Sequence, residues 1–320
     1  MKERVLYMDI ARSVAVLWIV GYWHLVDYVG ESHAEDSVHF HGAGYITDIA
    51  LGLFMFLSGF FLAKYMFMDF YKDSIAFYKK RLTRFYVLYA LSALTLFLIG
   101  FNPGASRLLF TLLAVSTYIP PQPDTLWFFS MLTSFYLMTP LVIQRGNTVY
   151  AVSRAVAILT LCGLLRVLGV GIDIRFFWCF PLYFFGLYIG KRPDYASFLL
   201  RGPVAAVVLV VFLILLAFFE NSAYGFPFTY VLVPLGIQLT LYLSYKLSSL
   251  VNRRVVEMIA YGSMCAYLFH RQIYGLLKYG CDLMGLDLPL WLVILVYLPI
   301  CLVISYGIQS LYDFIVTRKS

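Results

Sequence analysis

Residues 7–27 read YMDIARSVAVLWIVGYWHLVD, and this stretch decides the fold. It is apolar enough to cross a membrane, but it begins with Asp9 and Arg12 and ends with His24 and Asp27. Ionisable groups cost free energy in hydrocarbon, so those inside a span usually face protein or water and often mark function. Along a helix, Arg12 and His24 would lie roughly 18 Å apart. One helix would therefore connect the Arg12 charge, near one membrane face, to the His24 imidazole, which lies far from that face.

The composition of the chain predicts an all-α polytopic membrane protein. Of its 320 residues, 62% are hydrophobic and only 13% are charged, whereas an average soluble domain is about half apolar and about a quarter charged. The length suits about ten spans of roughly 20 residues. No polar stretch is long enough for a separate soluble domain, so we predict one transmembrane domain over residues 1–320. The predicted spans are 10–30, 44–66, 85–101, 126–143, 155–171, 176–190, 203–219, 228–246, 262–280 and 290–312.

The positions of the basic residues predict the orientation. The net charge of +7 is compatible with nucleic-acid binding, but its distribution argues against that class. If Met1 is cytoplasmic and ten helices follow, all of the Lys and Arg residues fall on the cytoplasmic side except Arg107, Arg166, Arg175, Arg271 and Lys278. This is the pattern of the positive-inside rule. We therefore expect both termini in the cytoplasm and no nucleic-acid partner.

The cysteines and histidines do not predict a metal site. The five cysteines have no CxxC spacing, which favours small core residues. The predicted outer loop from Glu31 to Gly42 contains His33, His39 and His41, but their spacing matches no zinc pattern. The chain also lacks a Walker motif, a GxSxG elbow and a dinucleotide fingerprint, which disfavours an ATPase, a serine hydrolase or a dehydrogenase.

Short segments add further expectations. Ser58-Gly59 in the second span would permit a close approach of helices or a local distortion. Arg81 and Arg84, three residues apart on a helical turn, would form one patch that can bind phosphates, although topology alone also explains a basic inner loop. The apolar run 108–115 is too short to span and predicts an interfacial or re-entrant outer helix.

Two clusters of charge lie in or beside the later spans. Arg166, Asp173 and Arg175 surround the very short turn between the fifth and sixth spans. His270 and Arg271 fall near the middle of the ninth span, where each must find a partner. Packing alone is a common reason for a buried histidine.

Six segments, in order, resemble the integral-membrane acyltransferase-3 family, which O-acylates cell-surface carbohydrates. The first is Asp9, Arg12 and then His24, separated by a long apolar run. The others are LFMFLSGFFL at 53–62, FYKKRLTR at 77–84, LWFF with YLMTP across 126–140, FPLYFFGLYIG at 180–190 and YLFH at 267–270. Together they cover about residues 7 to 275.

The chain departs from the family pattern in two places. Many members carry two glutamates where this chain has Leu132 and Thr133, and a smaller single-domain branch also lacks them. The family usually has ten residues between its arginine and histidine, whereas eleven separate Arg12 from His24. In a regular helix the usual spacing leaves the two side chains about 20° apart, and this one about 120°. We predict a one-residue π-type bulge near Gly21, because π-bulges recur at functional sites.

The resemblance implies an acyl-coenzyme A donor, usually acetyl-CoA, met at the cytoplasmic side of a bacterial cytoplasmic membrane. The implied acceptor is a hydroxyl of a surface polysaccharide or lipid-linked saccharide. Arg12, Arg81 and Arg84 suit the phosphates of the coenzyme. We expect the remaining contacts, to the acceptor or the developing oxyanion, from Arg166, Arg175, His270 and Arg271.

The same resemblance makes His24 the expected general base, because imidazole titrates near neutral pH. Asp27, three residues on, could orient the His24 ring. An acyl-His24 intermediate is an alternative mechanism. A polytopic transporter or flippase for a saccharide or lipid-linked sugar is the alternative function, since it would also carry buried charges.

Overall fold

A computed structural model describes residues 6–26, 42–63, 70–143, 148–219 and 225–317. Within these ranges the chain is helical and has no β-strand. The elements are α1 (Leu6–Trp18), a π-helical segment (Ile19–Trp23), α2 (Ala43–Phe60), α3 (Phe70–Leu98), α4 (Ala105–Leu112), α5 (Trp127–Ile143), α6 (Thr148–Val167), α7 (Phe176–Lys191), α8 (Pro193–Leu199), α9 (Gly202–Phe219), α10 (Gly225–Leu247), α11 (Arg253–Leu283) and α12 (Leu290–Thr317). The predicted all-α class is confirmed.

Each predicted span coincides with a helix, but few of these helices qualify as spans on their own. In the described ranges, α2, α6 and α12 are long and apolar enough to cross a membrane, and α3 would be a fourth if its two halves, bent by 41°, cross together. Interruptions and charges explain why α1 and α11 do not qualify as spans on their own. The π segment follows α1 directly, and α11 carries His270 and Arg271. The number of crossings and the side of each terminus stay predictions.

The chain forms two compact units. The first contains Met1–Phe54 and Asp194–Ser320, and the second contains Met55–Pro193. The second unit is thus an uninterrupted stretch inserted between the two parts of the first. α4 lies in the second unit and is a short helix of 8 residues, as expected for a run too short to span.

In the first unit, α1 packs against α10 and α11, while α11 and α12 form an extensive pair. The π segment contacts both α11 and α12. α11 begins with a capped turn, in which the Asn252 side chain accepts hydrogen bonds from the N–H groups of Arg254 and Val255. A polar contact then joins the pair: Tyr261 of α11 donates to Asp313 of α12 at 2.6 Å, and Gln309, one turn earlier on α12, donates to the same carboxylate at 3.0 Å.

In the second unit, the end of α2 and α7 touch backbone to backbone. A Cβ added to Gly59 would overlap the carbonyl oxygen of Tyr183, and one added to Gly186 would overlap that of Phe56. The close approach expected from Ser58-Gly59 is therefore confirmed. Tyr183 is fully buried beside this contact, and its hydroxyl shares a 2.7 Å hydrogen bond with Thr139.

Candidate active site

A π-helical turn interrupts the first span directly before His24. The π segment covers Ile19–Trp23, and the backbone N–H of His24 bonds to the carbonyl of Ile19, five residues earlier. A one-residue bulge absorbs about 100° of rotation, which compensates for the eleventh residue between Arg12 and His24. The predicted bulge near Gly21 is confirmed.

Gly21 lets α12 approach this widened turn. A Cβ added to Gly21 would lie 2.6 Å from the Cδ2 atom of Leu298, which is closer than carbon atoms pack. Glycine therefore allows the leucine to sit against the backbone of the bulge.

The bulge frees one carbonyl group, and a tyrosine on α11 takes it up. In a regular helix the N–H of His24 would bond to the carbonyl of Val20, but here it bonds to Ile19. The hydroxyl of Tyr274 donates to the Val20 carbonyl at 3.0 Å. Tyr274 is fully buried, and its hydroxyl satisfies the Val20 carbonyl in a place that water does not reach.

The turn places His24 face to face with His270 of α11. The two imidazole rings stack with centroids 4.7 Å apart and planes within 4° of parallel. Tyr267 meets both rings edge-on, with its centroid 6.1 Å from each. His270 is 1% exposed and His24 is half-buried, so the pair is reached from the His24 side.

The hydrogen bonds of His270 fix its tautomer. Its Nδ1 atom lies 2.8 Å from the carbonyl of Tyr267 and 3.2 Å from that of Ala266. Both partners are acceptors, so Nδ1 carries the hydrogen and donates it. Nε2 is then a lone-pair acceptor in the neutral ring, and it has no hydrogen-bond partner among the described residues.

Stacking limits the charge of the pair. Two imidazolium ions at this centroid distance would repel each other by about 3.5 kcal/mol at an effective dielectric constant of roughly 20. The adjacent Arg271, which is half-buried, adds to the cost of a second proton. The arrangement therefore favours at most one proton beyond the neutral pair, which suits a site that accepts one proton and releases it.

The predicted donor-binding arginines lie in different units. Arg12 is half-buried on α1 of the first unit, and Arg81 is half-buried on α3 of the second. Arg81 is close enough to the buried Tyr183 for its charge to act on that side chain. Arg84 lies on α3, but its side chain is outside the described residues, as are Asp27 and the loop that contains His33, His39 and His41.

The charged cluster between α6 and α7 is already paired in the second unit. Arg175 forms a 2.7 Å ion pair with Asp173, donates to Gln122 at 2.8 Å and lies 3.6 Å from the centre of the Trp127 ring. Arg166 donates to the carbonyl of Ile172. These contacts stabilise the turn.

Comparison with known proteins identifies the family. The acyltransferase domain family, acyltransferase-3, matches residues 5–309, nearly the whole chain. The chain belongs to the acyltransferase-3 family. No curated protein and no solved structure gives a significant match. The resemblance found from six short segments is thereby confirmed, and the chain is an integral-membrane acyltransferase.

Tyr274 is the residue of this acyltransferase that sequence reasoning missed. It lies four residues after His270, one helical turn along the same face of α11. The four-residue spacing between His270 and Tyr274 is visible in the sequence. The hydrogen-bond partner of Tyr274 is not visible there, because a backbone carbonyl freed by a bulge has no side-chain signature.

Proposed function

We propose that this acyltransferase moves an acyl group, in the simplest case acetyl, from acyl-CoA to a hydroxyl of a cell-surface or lipid-linked saccharide in the bacterial cytoplasmic membrane. The observation that carries the proposal is the stacked His24–His270 pair, which the π turn presents inside a membrane bundle. Such a pair supplies an imidazole, the side chain that most often serves as a general base, among packed helices.

His24 acts as the general base in this mechanism. It takes the proton of the acceptor hydroxyl as the hydroxyl oxygen attacks the thioester carbon. The tetrahedral intermediate then collapses with cleavage of the carbon–sulfur bond, and the proton returns from His24 to the coenzyme A thiolate. The products are the O-acyl saccharide and free coenzyme A. Asp27 would orient the His24 ring.

His270 is better suited to contact the acceptor than to stabilise the oxyanion. Its Nδ1–H is used by backbone carbonyls, so the neutral ring offers only the Nε2 lone pair, which accepts a hydrogen bond from a hydroxyl. An oxyanion needs a donor, and Arg271 on the next position provides one. We assign His270 to the acceptor hydroxyl and Arg271 to the developing negative charge.

The remaining site residues have supporting roles in the proposal. Arg12, Arg81 and Arg84 bind the phosphates of acyl-CoA, because guanidinium groups pair with phosphate in two-point contacts. Arg166 and Arg175, which are already paired with the α6–α7 turn, shape a surface for the acceptor.

Mass spectrometry of surface saccharides tests the proposal. Strains would carry the wild-type chain, His24→Ala, His24→Gln or a gene deletion, with equal protein abundance verified by immunoblot. We expect acylated saccharide only with the wild type, because glutamine keeps a polar side chain but takes no proton at neutral pH. An unchanged acyl content in the His24→Ala strain would overturn the mechanism. Saccharide export without any acyl difference would favour a transporter.

A further inference from the structure

A small cavity in the second unit is lined by the polar side chains of Asn102, Arg107 and Thr111. Apolar residues that include Phe97, Leu108 and Leu126 line the rest of it. The cavity contains about 190 Å³ of empty space, including its open mouth. Neither Asn102 nor Arg107 has a role in the mechanism proposed above.

Asn102 has a buried amide group without a partner. The residue is 5% exposed, and its Oδ1 atom accepts the backbone N–H of Asp124 at 3.3 Å. This contact fixes which amide atom is the oxygen, so the Nδ2 atom must be the donor. In the described part of the chain, Nδ2 has no hydrogen-bond partner. An unsatisfied buried donor is costly, so such groups call for an explanation.

Arg107 is also unsatisfied and stands in an unfavourable place. Its Nε atom is buried, and no partner or carboxylate within ion-pair distance occurs in the ranges that the structure describes. It lies in the first turn of α4, which follows Gly104 without a side-chain cap. A helix N-terminus carries partial positive charge and disfavours a cation. The fold therefore gathers positive potential at this cavity.

The helix that carries Arg107 is anchored to α3 by two tyrosines. Tyr89, which is fully buried, donates to the carbonyl of Thr111 at 2.7 Å, and Tyr86 donates to that of Leu112. These bonds hold the C-terminal end of α4 against α3. The Thr111 hydroxyl is itself used, because it donates to the carbonyl of Arg107 at 2.7 Å.

We propose that this cavity binds an oxyanion, a carboxylate or phosphate, carried by the saccharide acceptor. The reason is that the unsatisfied groups of the cavity are all donors beside the positive end of a helix, which is the arrangement that binds anions. This inference rests on the proposed function and deepens it: the acceptor is an acidic saccharide.

Ligand binding without any acyl donor tests this inference separately from catalysis. The purified chain in phosphatidylcholine nanodiscs is titrated with glucuronate, inorganic phosphate or neutral glucose, and binding is followed by the shift in melting temperature. We expect glucuronate and phosphate, but not glucose, to raise the melting temperature of the wild type. Arg107→Gln and Asn102→Ala are each expected to weaken glucuronate binding at least tenfold. The affinity of Arg107→Lys for glucuronate is expected to lie between that of these two variants and that of the wild type.

Two controls separate the possible failures. Arg192→Gln removes the same charge from an exposed position of the same unit and is expected to bind like the wild type. His24→Ala is expected to bind normally too, even though it cannot transfer an acyl group. Binding that persists in Arg107→Gln, or no binding by the wild type, overturns the inference. If phosphatidylglycerol in the nanodisc gives the Arg107-dependent response and glucuronate does not, the site is for a lipid headgroup and the acidic acceptor is wrong.

Discussion

The hydroxyl of Tyr274 and the backbone carbonyl of Val20 lie 3.0 Å apart although 254 positions separate the two residues in the chain. The carbonyl needs this partner because the π turn has taken away the N–H group of His24. The bond therefore couples α11 to the direction in which the His24 ring points. Tyr274 is a positioning residue, since it acts on the candidate base through the backbone.

Replacing Tyr274 by phenylalanine should slow turnover without weakening donor binding. The freed Val20 carbonyl would be buried and unsatisfied at a cost of about 1–3 kcal/mol, so the turn is driven toward regular helix and His24 away from His270. We expect kcat to fall about tenfold to a hundredfold, with the KM for acyl-CoA unchanged. Initial rates of acyl transfer in nanodiscs measure both.

A matched tyrosine serves as the control for that prediction. Tyr297 is 4% exposed, and its hydroxyl donates to the Cys281 sulfur at 3.3 Å. Tyr297→Phe also removes one buried hydroxyl but leaves the Val20 carbonyl bonded, so we expect kcat within about threefold of the wild type. Equal losses in the two variants would show that Tyr274 only contributes to packing.

Deleting Tyr22 should remove the π turn and retain activity. The deletion leaves ten residues between Arg12 and the histidine, so a regular helix places both on one face. We expect turnover within about tenfold of the wild type. In this background Tyr274→Phe should cost little, because the N–H of Leu25 then bonds to the Val20 carbonyl. A double-mutant cycle measures this coupling, and additive losses would contradict the proposed role.

His270→Phe should preserve the stack and abolish the polar contact. Phenylalanine keeps an aromatic ring against His24 but has no Nε2 lone pair. We expect kcat to fall about a hundredfold with little change in melting temperature. Tyr267→Phe, which keeps the edge-on ring beside both histidines, is the control and should retain most activity. A His270→Phe variant as active as this control would show that His270 has no part in the reaction.

Gly186→Ala should destabilise the second unit and lower its folding yield. The added Cβ would overlap the Phe56 carbonyl, which is backbone and cannot rotate away. Overpacking of this kind costs about 1–3 kcal/mol and occasionally more. Gly163→Ala in the same unit meets only Phe177, at 3.9 Å, and should be tolerated. The yield of monodisperse protein after detergent extraction distinguishes them, and equal yields would contradict the tight contact.

The helical class and the position of the helices could be predicted because hydropathy is local, and the bulge could be predicted because the family resemblance supplied a reference. Eleven residues separate Arg12 from His24 where the family usually has ten, which predicted an extra residue in the turn. The Ser58-Gly59 contact was also predictable, since glycine has few other uses inside an apolar helix.

The stacked histidines and the Tyr274 bond depend on tertiary packing and could not be read from the sequence. His24 and His270 are far apart in the chain, and nothing local to either residue specifies the other. The acceptor contact expected of Arg175 also depends on packing, and it stays a prediction. A charge beside a short turn suggested a ligand contact, but Asp173, Gln122 and Trp127 already engage it. The groups that surround an arginine in the fold decide whether it contacts a ligand or stabilises a turn.

The insertion of the second unit within the first has a consequence for biosynthesis. The segment that bears His24 leaves the ribosome before the second unit, whereas its stacking partner on α11 and the Tyr274 hydroxyl emerge only after the whole second unit has been made. Until then the opening span carries its imidazole and its loosened turn into the bilayer without their eventual neighbours. The stacked pair can therefore form only late in synthesis, after the second unit is complete.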